Sequence, residues 1–231
     1  MMPPRYALYA IPRPDTVLAR FGASWLGWDV ETARPIESAK GMGLPPALHA
    51  TVTAEPRRYG FHGTLKAPFA LNEDTGEAEL AEAAERFARE RRPLPAISLS
   101  LRAIGSFLAL TPREPSAALD RLAAECVAAF DRFRAPLEAA ELARRRRNGL
   151  SPAQEEMLAR WGYPYAMNEF RYHMTLTGPL DGPLRARVGE SLLAPLEAIL
   201  SEPLAIADLV LCIEPRPLER FRVLRRFPLG A

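Results

Sequence analysis

"RYGFHGTLK", Arg58 to Lys66, and "FRYHMTLTG", Phe170 to Gly178, carry one pattern: a histidine, a threonine two places on and a leucine three places on. His62 and His173 are two of only three histidines in 231 residues, and they lie close to half the chain apart. On a strand, residues i and i+2 share a side. The first stretch would therefore present His62, Thr64 and Lys66 on one face, opposite Phe61 and Leu65. The second would present Arg171, His173, Thr175 and Thr177 opposite Tyr172, Met174 and Leu176. Each motif buries its hydrophobes and offers His, Thr and a cation, so the repeat predicts a duplicated fold.

The flanking segments repeat as well. "RYALYAIP", Arg5 to Pro12, reads as a strand bounded by prolines, and a helix follows over Asp15 to Trp28. Asp29 to Pro56 has many prolines and glycines and reads mostly as loop. Alternation returns over Tyr59 to Ala67. A helix then spans Asp74 to Arg92, with acidic residues in its first turns and Arg89, Arg91 and Arg92 in its last, as the helix dipole favours. A hairpin turns at Ile104 to Ser106. Ser116 to Phe133 shows Leu119, Leu122, Cys126, Phe130 and Phe133 at helical spacing. "SPAQEEMLARWG" carries helix start signals, and after the second motif come a helix over Leu184 to Leu200 interrupted by Pro195 and strands over Leu204 to Glu214 and Arg220 to Phe227. Motif strand, helix, strand, strand therefore occurs twice. The expected architecture is α+β and bilobal, with lobes at about 5–112 and about 115–231, and a helical insert at about 136–164 that could form a flap over a cleft.

Composition narrows the function. The hydrophobic fraction is 48% and the charged fraction 25%, as in ordinary globular proteins. A formal charge of +2 is too small to argue by itself for a polyanionic partner. Lysine occurs only at Lys40 and Lys66, so nearly all positive charge is arginine. Cys126 and Cys212 sit in apolar surroundings without metal-ligand spacing and read as buried, reduced thiols. No stretch approaches the roughly 20 apolar residues of a membrane span, and the short apolar run near the N-terminus is cut by Pro12, so a cytoplasmic protein is expected.

Two imidazoles across a cleft can divide acid and base work, because an ordinary pKa near ~6.5 lets one be neutral while the other is protonated. Thr64 and Thr175 could donate hydrogen bonds to phosphoryl oxygens, and Lys66 or Arg171 could offset their charge. That set suits cleavage of a phosphodiester without a metal or other cofactor, since neither a third histidine nor clustered carboxylates accompany the pair. Arg5 and Tyr6 on the first strand are weaker candidates, and Tyr59 could stack a base or sugar. Neither Gly63 nor Gly178 belongs to a phosphate-binding glycine loop, and His49 lacks the motif and reads as structural or exposed. The run Arg144 to Arg147 reads as a solvated helix face, with contact to RNA or a phosphorylated ligand as its alternative.

His62-Gly63-Thr64-Leu65 and His173-Met174-Thr175-Leu176 resemble the repeated His-x-Thr/Ser-x motif of the two-histidine (2H) phosphoesterase superfamily. Longer strings, among them "WLGWDVETARP", "WGYPYAMNEFRYHMTLTGPL" and "FRVLRRFPL", are similar to the phosphonate metabolism protein family encoded in bacterial phosphonate-utilisation operons. The resemblance implies two antiparallel sheets lining a central cleft, His62 and His173 as the catalytic pair, and Thr64 and Thr175 on the phosphate. It further implies a small phosphorylated ribose or nucleotide as substrate and cyclic phosphodiester opening as the reaction. Gly63 is smaller than the family's usual apolar residue, which leaves the packing beneath the first motif open. The rival readings are a module that binds a nucleotide or phosphorylated ligand without turnover and an RNA-binding or ligase-like protein.

Overall fold

The structure is a computed structural model that describes residues 3–37, 43–147 and 149–230. Seven strands form one antiparallel sheet: β1 Arg5–Ala10, β2 Gly63–Ala70, β3 Leu99–Ile104, β4 Phe107–Pro112, β5 Met174–Thr175, β6 Asp208–Glu214 and β7 Arg222–Pro228. Their order is β3-β4-β5-β2-β1-β6-β7. The α+β class is as expected, and the two sheets implied by the resemblance are the two halves of this one. They join where β2 meets β5, through the single pair Gly63↔Met174.

Chain order and spatial order differ. The β3–β4 hairpin follows the first histidine in sequence but pairs with β5 of the second motif, while β6, which follows the second, pairs with β1. Each half of the sheet thus draws a hairpin from the other half of the sequence.

The helices are α1 Val17–Leu26, α2 Pro46–Val52, α3 Ala54–Arg57, α4 Glu77–Arg89, α5 Ala117–Ala129, α6 Ala139–Arg146, α7 Pro152–Trp161 and α8 Gly182–Ile199. Local chemistry sets their ends. The Thr16 side chain accepts from Ala19 N at the start of α1, and Ser151 and Gln154 form a reciprocal capping box at the start of α7, with Pro152 at its first turn. The segment expected as loop between Asp29 and Pro56 contains α2 and α3; its residues 38–42 lie outside the described residues. Pro195 does not interrupt α8, because Leu192 and Leu196 on either side of it are buried and packing holds the turn in place.

Apolar residues cover both faces. The larger cluster joins Tyr6 and Leu8 of β1 and Leu65 and Phe69 of β2 to α1, α4, α5 and α8. A smaller one on the opposite face holds Tyr9, Trp28, Val210, Cys212 and Phe221, with Tyr59 packed against it. Both cysteines are buried and free.

Candidate active site

The first motif's strand begins at Gly63 rather than Tyr59. Gly60 has φ +73°, a left-handed conformation that turns the chain before the strand starts, and a Cβ there would also lie 2.7 Å from Val30. The second motif is shorter still. After Thr175, the amides of Leu176 and Thr177 both donate to the Leu108 carbonyl and the Thr177 hydroxyl accepts from Leu108 N, which bends the chain out of the ladder. Strand β5 is therefore only Met174–Thr175.

The Gly63↔Met174 pair is the centre of a local twofold arrangement. In an antiparallel register it sets His62 across from Thr175 and Thr64 across from His173, all four on one face. The backbone holds the two imidazoles alike. His62 Nδ1–H donates to the Gly60 carbonyl at 2.9 Å and His173 Nδ1–H to the Arg171 carbonyl at 2.7 Å, each acceptor two residues upstream. Both rings are thereby held as the Nδ1–H tautomer, leaving Nε2 as the reactive nitrogen. The Thr64 hydroxyl donates to His62 Nε2 at 3.2 Å, whereas His173 Nε2 has no hydrogen-bond partner among the described residues.

Their surroundings differ. Tyr9 stacks on the His62 ring at a centroid separation of 3.8 Å, and its own hydroxyl is buried without a partner. His173 instead meets Phe107 at 5.6 Å. Burial pushes His62 down to about 4; the Gly60 carbonyl opposes this and the charge of His173 adds to it. Burial also lowers His173, against the Arg171 carbonyl. Burial thus favours the neutral form of both imidazoles.

A cleft of about 750 Å³ opens over the pair. His62, Thr64, Lys66, His173, Thr175, Arg171 and Tyr59 all line it, so seven of the expected site residues converge on one space. Arg5 does not line it: its Nε donates to Glu214 at 2.5 Å, a carboxylate only 1% exposed that Arg58 also engages. Tyr6 turns away too, its hydroxyl donating to Glu77. His49 is buried edge-on against Trp25.

Lys66 does not share a face with Thr64. Register shifts where β1 pairs with β2 set Tyr9 opposite Thr64 but Leu8 opposite Lys66, and Leu8 belongs to the larger core. Lys66 reaches the cleft from the far side of that bulge, its Nζ donating to the Val127 carbonyl of α5 at 3.1 Å.

The space at Gly63 is occupied by Tyr172. A Cβ on Gly63 would lie 2.3 Å from that ring, so the small residue of the first motif accommodates the large one of the second.

The insert at 136–164 supplies Leu137, Gln154, Trp161, Gly162 and Tyr163 to the cleft wall. Of its clustered arginines, Arg144, Arg146 and Arg147 are exposed, as expected of a solvated helix face, and Arg145 is not. Arg144 and Arg145 pair with Glu141, Arg146 ties α6 to α7 through Glu155, and Arg145 is 10% exposed, with its guanidinium over Tyr163.

Tyr9, Arg134, Trp161 and Tyr163 were not visible as site residues in the sequence. Tyr9 sits on the correct face by strand alternation, yet nothing local states that β1 would pair beside the first motif.

Residues 64–222 match the family described as "Protein of unknown function (DUF1045)". The chain belongs to the DUF1045 family. Two curated proteins are also similar to this DUF1045 chain. Ribose 1,5-bisphosphate phosphokinase PhnN of Janthinobacterium sp. (strain Marseille) is 39% identical over 98% of this chain and 51% of its own length. The protein of the same name from Laribacter hongkongensis (strain HLHK9) is 33% identical over 96% and 51%. The chain spans about half the length of these curated relatives. Among solved structures, E. coli LigT complexed with NADP+ and a phosphoesterase each align over the whole of both chains with a TM-score of 0.45, at 14% and 16% identity.

Among the described residues no group of three or more His, Cys, Asp or Glu side chains could hold a metal ion, and no helix is long and apolar enough to cross a membrane.

Proposed function

We propose that this chain is a metal-independent phosphoesterase that opens a cyclic phosphodiester on a ribose-type substrate, in phosphonate catabolism. The observation that carries the reading is the pair of imidazoles, each anchored through Nδ1–H to the carbonyl two residues upstream and each presenting Nε2 to one cleft. Binding of an anionic phosphate between them favours uptake of one proton, which gives one neutral and one protonated ring.

The neutral Nε2 takes a proton from water as its oxygen bonds to phosphorus. The phosphorus–oxygen bond to the sugar breaks, and the protonated Nε2–H delivers its proton to the departing oxygen. The product is a phosphomonoester with a free hydroxyl, and proton exchange with solvent resets the pair. On substrate binding the Thr64 hydroxyl turns from His62 Nε2 to donate to a phosphoryl oxygen, Thr175 donates beside it, and Arg171 offsets their charge. Each imidazole contributes on the order of 10²- to 10⁴-fold.

The phosphokinase name belongs to proteins about twice this length, and neither lysine here follows a glycine, so the G-x-x-x-x-G-K-[ST] phosphate loop is not written in this chain. The RNA-binding reading loses support because three of the four clustered arginines are paired within the insert. The test is turnover of ribose 1,2- and 2',3'-cyclic phosphates. Ligand binding without hydrolysis would instead favour the non-catalytic module.

A further inference from the structure

Strands β2 and β5 separate after the Gly63↔Met174 pair. On that side β2 next meets the chain at Leu71↔Arg134, where Ala135 N donates to the Ala70 carbonyl. Between these junctions the edge of β2 faces the cleft, and Pro68, which has no N–H to leave unpaired, stands in that stretch. The far end of the cleft is lined by Lys66, Val127, Arg134, Trp161 and Gly162.

Charge there is out of balance. Lys66 is 3% exposed, one of its three N–H groups is taken by the Val127 carbonyl, and its nearest carboxylate oxygen, on Asp131, lies 3.6 Å away. That carboxylate is already bonded by Arg134 at 2.8 Å and 3.4 Å. Two cations therefore share one anion, Lys66 buried and Arg134 and Asp131 half-buried, with Arg134 also donating to the Ala135 and Arg160 carbonyls. Such a charge is costly without a partner, and the cavity in front of it has room for one.

Resting on the phosphoesterase reading, we infer that the Lys66–Arg134 end is a second anion subsite, and that the substrate carries a second phosphate in addition to the one placed between His62 and His173. Lys66 follows Thr64 by two positions, about 6–7 Å along the backbone of β2, and reaches the cleft from the far side of the bulge, so the two anion positions lie at least one pentose apart. Burial, eased by Asp131, lowers Lys66 to about 8, so the subsite is charged at neutral pH and fades above it.

The experiment measures binding of adenosine 3'-monophosphate and adenosine 3',5'-bisphosphate at equal ionic strength. It uses the full chain and its Lys66→Met and Arg134→Gln variants, with circular dichroism as a check on folding. A charge-assisted contact predicts at least about tenfold tighter binding of the bisphosphate by the wild type. That preference should fall below about threefold in either folded variant, and should shrink in the wild type between pH 7 and pH 9.5, where both phosphates keep their charge. If Lys66→Met does not fold, Arg134→Gln and the wild-type pH series decide. Equal binding of the two ligands, or a preference that survives both the substitutions and high pH, overturns the subsite. Because binding is read without turnover, loss of the subsite leaves the phosphoesterase reading standing. Failure to open any cyclic phosphate leaves the subsite standing.

Discussion

At the scale of the residue, the decisive feature is that two ring nitrogens are pinned by backbone carbonyls and two are not. His62 has the more desolvated setting, under the Tyr9 ring, and this makes a stability prediction. Its folded pKa is about 4 against about 6.5 when unfolded. Between those values the unfolded chain binds more protons, so stability rises with pH across this window and is lost on acidification from 6.5 toward 4. Urea melts at pH 7 and pH 4.5 should show the wild type losing more stability than His62→Gln; equal losses would contradict the assigned burial. Tyr9 supplies a second test. Its hydroxyl has no partner, so Tyr9→Phe should leave stability nearly unchanged, whereas Tyr9→Ala should cost about 3–5 kcal/mol in denaturant melts. Both histidines and both threonines were legible as residues, because a repeated four-letter pattern needs no knowledge of the fold. Tyr9 was not, because stacking on His62 depends on a strand partner some fifty positions away.

At the scale of the element, the join between β2 and β5 depends on one small residue meeting one large one. Gly63→Ala would drive a Cβ into the Tyr172 ring and should cost about 1–3 kcal/mol, most of it recovered by adding Tyr172→Leu. Additive effects in that double-mutant cycle would show that the two do not share the space. Helices α6 and α7 bury only Leu158 between them, while the segment that follows brings Trp161, Gly162 and Tyr163 to the cleft. Replacing 136–164 with a short linker should therefore raise KM several-fold and leave a cooperative unfolding transition; loss of that transition would make the insert part of the core. Helix α7 was readable from Ser151, Pro152 and Gln154, which are local capping signals. The brevity of β5 was not, since it follows from hydrogen bonds between Thr177, Leu176 and Leu108 across the fold. The side on which Lys66 lies was hidden for the same reason: alternation gives the wrong face once a bulge intervenes.

At the scale of the whole molecule, duplication in sequence becomes a single sheet whose halves exchange hairpins, with the two motifs back to back at the seam. The cleft exists because the seam is only one pair long: the strands part, and α5 and the insert close over the gap. The repeat made the duplication readable but not how its halves pair, because sequence order carries no record of which hairpin lies beside which motif.

Proposed here for His62 and His173 is the opening of a cyclic phosphate without a metal. The most direct measurement is the rate of ring opening by EDTA-treated protein on ribose 1,2- and 2',3'-cyclic phosphates, beside His62→Ala and His173→Ala. The wild type should keep its full rate in EDTA, and each variant should lose about 10²- to 10⁴-fold in kcat/KM. Wild-type rates in both variants, or activity that appears only when metal is restored, would contradict it.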